Sequence, residues 1–370
     1  MSEKKNRRPF RGRPALIKLT SLFLPDVETE FRFLGRTKKE YYGLMKETEI
    51  DETLLTDVRR QRIRETSHYR RKVRDFIVKL RGNVEFLEEY PSVNLAQLDI
   101  IEKAIDGNKE AEEKANAMGM WESVAFIWEP FLSRYRKIEN VMREASALFD
   151  ADQYAAAAES IASQPNACIY WRRGSLDYLK NAQSREEASK ARAIPFFEFQ
   201  IALIAEQSMN PAWDEIRGIL DMNLASLFDI DDRTGKIKPA TQWMKAVQQV
   251  ARKTTQQELR EFIHEESDRK IETETLKGYQ KNRSFPDVES FKIIVESIGG
   301  KIRSASQKKN VLFCLENMAF CGIRLYHMTR MVQPSKDKEA SEWFKESFEY
   351  WREYWSKRHA ECPEDRKSSP

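Results

Sequence analysis

TTQQELREFIHEESDRKIETETLKGYQKNRSFPDVESFKIIVESIG, residues 254–299, contains the pattern that decides the fold. Thr255 and Glu258 have the spacing of a capping box, so a helix is expected to begin directly after Thr255. Asn282 stands where a helix would be expected to end in a left-handed residue, a position that suits glycine first and asparagine next. Pro286 and Asp287 then begin a further helix. The stretch therefore predicts short helices joined by defined turns.

Four helices are expected between residues 236 and 309. The first covers about Trp243 to Arg252, the second follows Thr255, the third begins near Glu272, and the fourth ends at Gly299 and Gly300. Apolar side chains at helical spacing give each helix an inward face. The residues assigned to the core in and between the third and fourth helices are Leu276, Tyr279, Phe285 and Phe291.

Tyr279-Gln280-Lys281-Asn282-Arg283-Ser284-Phe285-Pro286 resembles the helix-turn-helix of the Xre/Cro/phage-repressor family. Members carry an aromatic, an acidic or amide residue, a basic residue and glycine, then a basic residue, two variable positions and proline; Asn282 replaces the glycine. The resemblance implies a bundle of four or five helices whose third helix enters the major groove. Two features depart from the family: Leu259 and Leu276 are 17 residues apart, too far for the tight turn, and Glu272 and Glu274 begin the third helix.

The resemblance assigns DNA contacts to the third helix and to the turn that follows it. Gln280 would read adenine, and Lys277 and Lys281 would read guanine or hold phosphates. Lys281, Arg283 and the backbone beyond Asn282 would contact phosphates. The positions placed toward the groove are Thr273, Thr275, Lys277, Gln280 and Lys281.

Positive charge is concentrated in two regions. Residues 1–82 hold 22 Lys and Arg against 12 Asp and Glu, a net charge of +10, and residues 236–309 hold 16 against 10, a net charge of +6. The whole chain carries +4, so the remaining residues sum to −12. Clustered basic residues can neutralise phosphates, whereas dispersed charge only solvates a surface.

The N-terminal region offers a second group of candidate contacts. Arg11-Gly12-Arg13-Pro14 resembles an AT-hook, in which two arginines reach along the minor groove, although Phe10 replaces the family's second proline. A generic basic tail is the alternative. A helix expected over residues 52–80 carries Arg59, Arg70 and Arg71 on a broad cationic face. That face could contact phosphates or an acidic protein, or could simply be solvated.

The composition predicts an all-α protein, a multi-helix bundle with an embedded helix-turn-helix-like module of four to five helices. The chain is 33% charged and has only 13 glycines and 13 prolines in 370 residues, and it shows no convincing run of alternating strands. The expected parts are a disordered basic arm (1–14), a basic helical region (15–82), a helical core domain (83–235), the module (236–309), C-terminal helices (310–361) and a disordered tail (362–370).

Several patterns predict buried structure rather than a site. Phe344, Phe348, Trp351 and Trp355 form a stripe at the spacing of a buried helix face. Residues 194–205 are the most apolar segment and predict the most buried helix, and Cys314 and Cys321 lie two turns apart and should share a core. The acidic group at Asp229, Asp231 and Asp232 is interpreted as a turn or a boundary, because its glycine is misplaced for a calcium loop.

Other classes of protein find little support in the sequence. The four histidines are far apart, and no phosphate loop, nucleophile motif or paired metal ligands are recognisable, so neither an enzyme nor a metal or cofactor site is expected. No segment reaches the roughly 18 apolar residues of a membrane span. The basic N-terminus lacks the apolar core of a signal peptide, which predicts a cytoplasmic protein without a membrane partner.

The leading expectation is a DNA-binding protein, a sequence-preferring transcription regulator or mobile-element control factor that binds double-stranded DNA. The helical remainder would then serve for self-association or for binding a protein partner. The alternative is a non-enzymatic helical scaffold or subunit of a nucleoprotein assembly that contacts the RNA or DNA backbone through residues 1–82 without reading bases.

Overall fold

A computed structural model describes residues 38–47, 49, 110, 144–163, 171–267, 271–331 and 337–361. The expected basic arm, the Arg11-Gly12-Arg13-Pro14 motif, the arginine-rich helix with Arg59, Arg70 and Arg71, and the tail from residue 362 lie outside the described residues. Within them the chain is a multi-helix all-α fold, which confirms the predicted class.

The described helices are numbered here in chain order. They are α1 (Lys38–Glu47), α2 (Tyr154–Ala162), α3 (Arg173–Lys180), α4 (Arg185–Ala191), α5 (Ala193–Gln207), α6 (Ala212–Glu215), a 3-10 helix (Leu224–Phe228), α7 (Pro239–Ala251), α8 (Gln256–Glu266), α9 (Thr273–Gln280), α10 (Val288–Lys301), α11 (Ala305–Met331) and α12 (Asp337–Glu361). Residues 144–150 are also helical and precede α2.

The centre of the fold is α5, which is buried over most of its length as its apolar sequence predicts. It packs extensively against α12, whose four predicted stripe aromatics are all buried. The Phe197 and Phe344 rings meet edge to face at 5.6 Å, and the Trp355 indole N–H donates to the Ala202 carbonyl at 3.0 Å. Because an indole N–H needs a partner when buried, this bond fixes the register of the two helices.

An ion pair between the partly exposed Arg172 and a buried carboxylate connects three parts of this core. The Arg172 guanidinium, just before α3, donates to the fully buried Glu198 carboxylate of α5 and to the Ser347 hydroxyl of α12, the latter at 2.6 Å. The same guanidinium lies 5.2 Å from the Tyr350 ring centroid. Burial raises the pKa of Glu198, although Arg172 opposes the change.

The 27-residue α11 is the second axis of the fold, and α7 packs along it. The Trp243 indole N–H of α7 donates to the Leu315 carbonyl at 3.0 Å. Cys314 and Cys321 are buried together in this helix, as predicted, and burial raises the pKa of each thiol to about 12. They are therefore packing residues at neutral pH.

Helices α7 to α10 form a four-helix group against α11, which we call the module. Within it α8 packs on α9 and α10, and α7 packs on α9 and α10. The predicted capping box is present: the Thr255 hydroxyl accepts the Glu258 N–H at 3.1 Å, and the Glu258 carboxylate accepts the Thr255 N–H at 2.9 Å. Asp287 caps α10 by accepting the Ser290 N–H at 2.8 Å.

Two sequence predictions about element ends were wrong. Gly299 and Gly300 do not stop the fourth helix, since α10 continues to Lys301. A Cβ on Gly299 would lie 3.1 Å from Lys308 and 3.4 Å from Leu312, both on α11. The glycine therefore provides room for the neighbouring helix rather than a stop. The helix expected from about Trp243 begins four residues earlier, at Pro239, because proline suits the first turn of a helix.

Asp232, one of the acidic group before Gly235, lies in the turn of a small hairpin and Asp231 ends its first strand, so the prediction of a turn is confirmed. Two-residue strands, β1 (Ile230–Asp231) and β2 (Lys236–Ile237), pair antiparallel, a feature that the sequence did not predict. The Asp231 carboxylate accepts the Thr234 hydroxyl at 2.6 Å and pairs with Lys238 at 3.0 Å. These contacts lower the pKa of Asp231 to about 2.

Candidate nucleic-acid interface

The turn that follows α9 has the backbone geometry predicted from its sequence. Asn282 adopts a left-handed conformation with φ of 53°. Its N–H donates to the Tyr279 carbonyl at 3.0 Å, and the Arg283 N–H donates to the Gly278 carbonyl at 2.9 Å. These two bonds satisfy carbonyls at the end of α9, as a left-handed C-cap does.

Helix α7 holds this turn from one side. The Asn282 side-chain oxygen accepts the Ala240 N–H at 2.9 Å, and the Thr241 hydroxyl donates to the Gln280 carbonyl at 2.7 Å. Pro239, at the first turn of α7, has no N–H to satisfy. Asn282 therefore ends one helix with its backbone and caps the start of another with its side chain.

Helix α11 holds the turn from the other side. The Tyr326 hydroxyl donates to the Arg283 carbonyl at 2.9 Å, and the Arg330 guanidinium donates to the same oxygen at 3.1 Å. Arg330 also donates to the Tyr326 hydroxyl and lies 5.0 Å from the centre of its ring. The backbone of the turn is thus anchored by side chains from two helices.

Basic side chains gather around the anchored turn. We call this group, Lys277, Lys281, Arg283 and Arg330, the basic corner. Lys281, Arg283 and Arg330 are exposed. Lys277 pairs with Glu274 at 2.6 Å and lowers the pKa of that carboxyl, with smaller effects from Lys281 and Arg283. The positive charges of Lys277, Lys281 and Arg283 therefore lie close enough to the Glu274 carboxylate to lower its pKa.

The remaining predicted groove residues lie on α9 itself. Thr273, Thr275 and Gln280 are partly exposed, and α9 is only eight residues long. Glu272 and Glu274 are exposed at its beginning, and the Glu274–Lys277 pair occupies the middle. The helix thus presents hydroxyl, amide, carboxylate and ammonium groups that can form hydrogen bonds with base edges or phosphates.

The connection between α8 and α9 departs from the family pattern, as the sequence indicated. Helix α8 ends at Glu266 and α9 begins at Thr273. The predicted core residues behave as expected: Leu276 and Tyr279 are buried, and Phe285 and Phe291 pack partly buried near Trp243. Burial raises the pKa of Tyr279 to about 12, so its phenol stays neutral.

Sequence reasoning missed Arg330. It lies 47 residues after Arg283 and on a different helix, so no local motif links the two. The available signal was its position one turn after Tyr326, which gives an aromatic and a cation on one helix face. The five other predicted contact residues, Arg11, Arg13, Arg59, Arg70 and Arg71, lie outside the described residues.

In the part of the chain that the structure describes, no three His, Cys, Asp or Glu side chains are grouped so as to hold a metal ion. None of the described helices combines the length and apolar character needed to cross a membrane.

Comparisons of the chain with protein-family models, with curated proteins and with solved structures gave no match.

Proposed function

We propose that the protein binds double-stranded DNA through the module, with the basic corner on the phosphates and α9 beside a groove. The observation that carries this proposal is the concentration of three exposed cations, Lys281 and Arg283 on the anchored turn and Arg330 on the helix that anchors it. Phosphate contacts from Lys and Arg supply most of the affinity of non-specific DNA binding.

The anchoring of the turn supports a binding role for its charges. Its backbone is fixed by Ala240, Thr241, Tyr326 and Arg330, so the Lys281 and Arg283 side chains extend from a rigid base. Rigid presentation lowers the conformational entropy that is lost on binding. The Arg283 N–H is already bonded within the cap, so Arg283 would contact phosphate through its guanidinium.

Base reading is assigned to the exposed part of α9. Gln280 carries the amide that adenine recognition uses, and Thr273 and Thr275 carry hydroxyls. With these groups the protein would prefer certain sequences, as a transcription regulator or mobile-element control factor does. The exposed Glu272 and Glu274 would face cytosine amino groups rather than phosphates.

The test compares the wild type with a Lys281→Ala/Arg283→Ala variant in binding to a labelled duplex at several salt concentrations. The matched control is Lys180→Ala/Arg217→Ala, which removes two exposed charges from other parts of the surface. We expect the corner variant to bind at least tenfold more weakly and its salt slope to fall by about 2. Equal binding by the wild type and the corner variant would contradict the proposal.

A second candidate is a scaffold that contacts nucleic-acid backbone without reading bases. The ion pair between Lys277 and Glu274 favours the scaffold, because it engages the Lys277 ammonium group that would otherwise contact a base. Selection of bound fragments from random duplexes separates the two functions. A recovered consensus supports sequence preference, whereas salt-sensitive binding without a consensus supports the scaffold.

A further inference from the structure

A second basic group lies at the opposite end of the module. We call this group, Lys253, Lys301, Arg303 and Lys308, the basic junction. The Lys253 and Lys301 ammonium groups lie 5.7 Å and 5.9 Å from the centre of the same Phe262 ring. The connection from α7 to α8 and the end of α10 therefore meet at Phe262.

Lys308 joins this group from the first turns of α11. Its side chain lies against Gly299, where an added Cβ would be 3.1 Å from the Lys308 Cε atom. Arg303 is exposed in the connection between Lys301 and Lys308. Glu266 pairs with Lys301 at 2.6 Å and offsets one of the four charges. The junction is thus a cationic surface with a carboxylate at its edge.

Helix α11 sets the distance between the two basic groups. Lys308 and Arg330 are 22 residues apart on this continuous helix, a separation of about 33 Å along the axis of a straight α-helix. At 3.6 residues per turn their directions differ by only about 40°, so both lie on one side of α11. This is the side that carries the module, since Lys308 contacts Gly299 and Arg330 contacts Arg283.

The spacing fits a duplex. One turn of B-form DNA is about 34–36 Å, so a duplex lying over the outer surface of the module, parallel to α11, would present phosphates of equivalent position to both groups. We propose that the basic corner and the basic junction form one bipartite surface that binds a single DNA duplex across about one helical turn. This inference rests on the proposed function and adds a second contact region to it.

The side chains between the two groups agree with phosphate contact at the ends. Glu296 is the exposed carboxylate of α10 about midway along the helix, and phosphates would be repelled there. Lys292, one turn before Glu296, is buried, and the exposed cations described above lie beside the beginning of α10, at the anchored turn, and at its end, at Lys301. A duplex would therefore bind most favourably with its phosphates at the two ends of the module and a groove over the middle of the module.

The experiment measures affinity as a function of duplex length. Duplexes of about 8 and about 20 base pairs are compared, since only the longer one spans a full helical turn. The test variant is Arg303→Gln/Lys308→Met, in which methionine keeps an unbranched chain over Gly299. The corner variant Lys281→Ala/Arg283→Ala and the control Lys180→Ala/Arg217→Ala are measured beside it, and circular dichroism checks that each variant is folded.

We expect the wild type to bind the 20-base-pair duplex at least tenfold more tightly than the 8-base-pair duplex, because two linked contact regions act together. The junction variant should lose that gain and bind the short duplex within about twofold of the wild type.

A junction variant that binds the long duplex like the wild type, while the corner variant does not, overturns the bipartite surface and leaves DNA binding in place. Absence of DNA binding by the wild type overturns the proposed function itself. Tighter binding to single-stranded RNA of equal length overturns the proposal that the ligand is a DNA duplex.

Discussion

The side-chain oxygen of Asn282 accepts the backbone N–H of Ala240 at 2.9 Å, although the two residues are 42 positions apart in the chain. One residue therefore fixes the end of α9 and the start of α7 at the same point. The same turn presents Lys281 and Arg283 to solvent. Changes at Asn282 should consequently affect both the stability of the module and the placement of its charges.

Replacement of Asn282 should separate its two roles. Asn282→Gly keeps the left-handed backbone and loses the cap, which should cost about 1 kcal/mol of the free energy of unfolding. Asn282→Ala loses the cap and also strains the backbone, for a total of about 2–3 kcal/mol. Urea denaturation measures both values. Equal losses for the two variants would show that the positive φ imposes no strain.

The capping box of α8 should make stability depend on pH. The bonds from Thr255 and Thr254 lower the pKa of Glu258 from 4.5 to about 2. A lowered carboxyl pKa stabilises the folded state above the unfolded value, and this contribution is lost as the pH falls from 4.5 toward 2. Glu258→Gln should therefore lower the urea midpoint at pH 7, and its difference from the wild type should shrink over that range.

Glu261→Gln, on the same helix outside the capping box, is the matched control for Glu258→Gln. A pH dependence shared equally by both variants would argue against the capping-box origin.

Gly322 should not tolerate a methyl group. A Cβ at this position on α11 would lie 3.0 and 3.1 Å from ring atoms of Phe285 and 3.4 Å from Leu227. We expect Gly322→Ala to lower the free energy of unfolding by about 1–2 kcal/mol, since overpacking outweighs the better helix propensity of alanine. Gly174→Ala on α3 is the control, because its Cβ meets nothing within 4 Å. A more stable Gly322→Ala protein would contradict the close packing.

Removal of Arg172 should leave a buried charge without compensation. We expect Arg172→Met to cost about 3–5 kcal/mol of the free energy of unfolding at pH 7. Burial raises the pKa of Glu198, so its ionised form destabilises the fold increasingly as pH rises above the ordinary carboxyl range. The cost of Arg172→Met should therefore diminish at acidic pH, where Glu198 is protonated.

Adding Glu198→Gln to Arg172→Met removes the buried negative charge, so the double variant should recover part of the lost stability at pH 7. A double-mutant cycle by urea denaturation measures this coupling. Simple addition of the two losses would show that the pair is not coupled.

Gln280 should influence sequence preference more than affinity. Its backbone carbonyl is bonded to Thr241 whatever the side chain, so Gln280→Ala should leave the turn in place. Loss of a bidentate amide contact to adenine would reduce discrimination at one base pair by about 1–3 kcal/mol. Selection from random duplexes, performed with the wild type and the variant, detects the change. An unchanged consensus would remove Gln280 from base recognition.

Local patterns predicted much of the described fold. The capping box at Thr255, the left-handed Asn282 and the buried aromatic stripe of α12 all follow from the spacing of a few neighbouring residues. Gly299 was misread because a glycine near a helix end can provide either a stop or room for a neighbour. Only the position of Lys308 and Leu312 on α11 distinguishes the two.

The candidate site was predictable only in its local part. Lys277, Lys281 and Arg283 belong to one turn and could be grouped from sequence. Arg330 and the basic junction depend on how α11 lies along the module, which is set by contacts between residues far apart in the chain. Helical periodicity gives the faces of each helix but not the pairing of one helix with another.

The bond between the Trp355 indole and the Ala202 carbonyl has a consequence for synthesis. It joins residues 153 positions apart, and α12 covers the apolar length of α5. During translation α5 emerges long before α12, so its hydrophobic surface stays uncovered until α12 has been synthesised. We expect nascent chains that stop before residue 337 to be bound by chaperones or degraded, and the native core to close only after α12 has emerged.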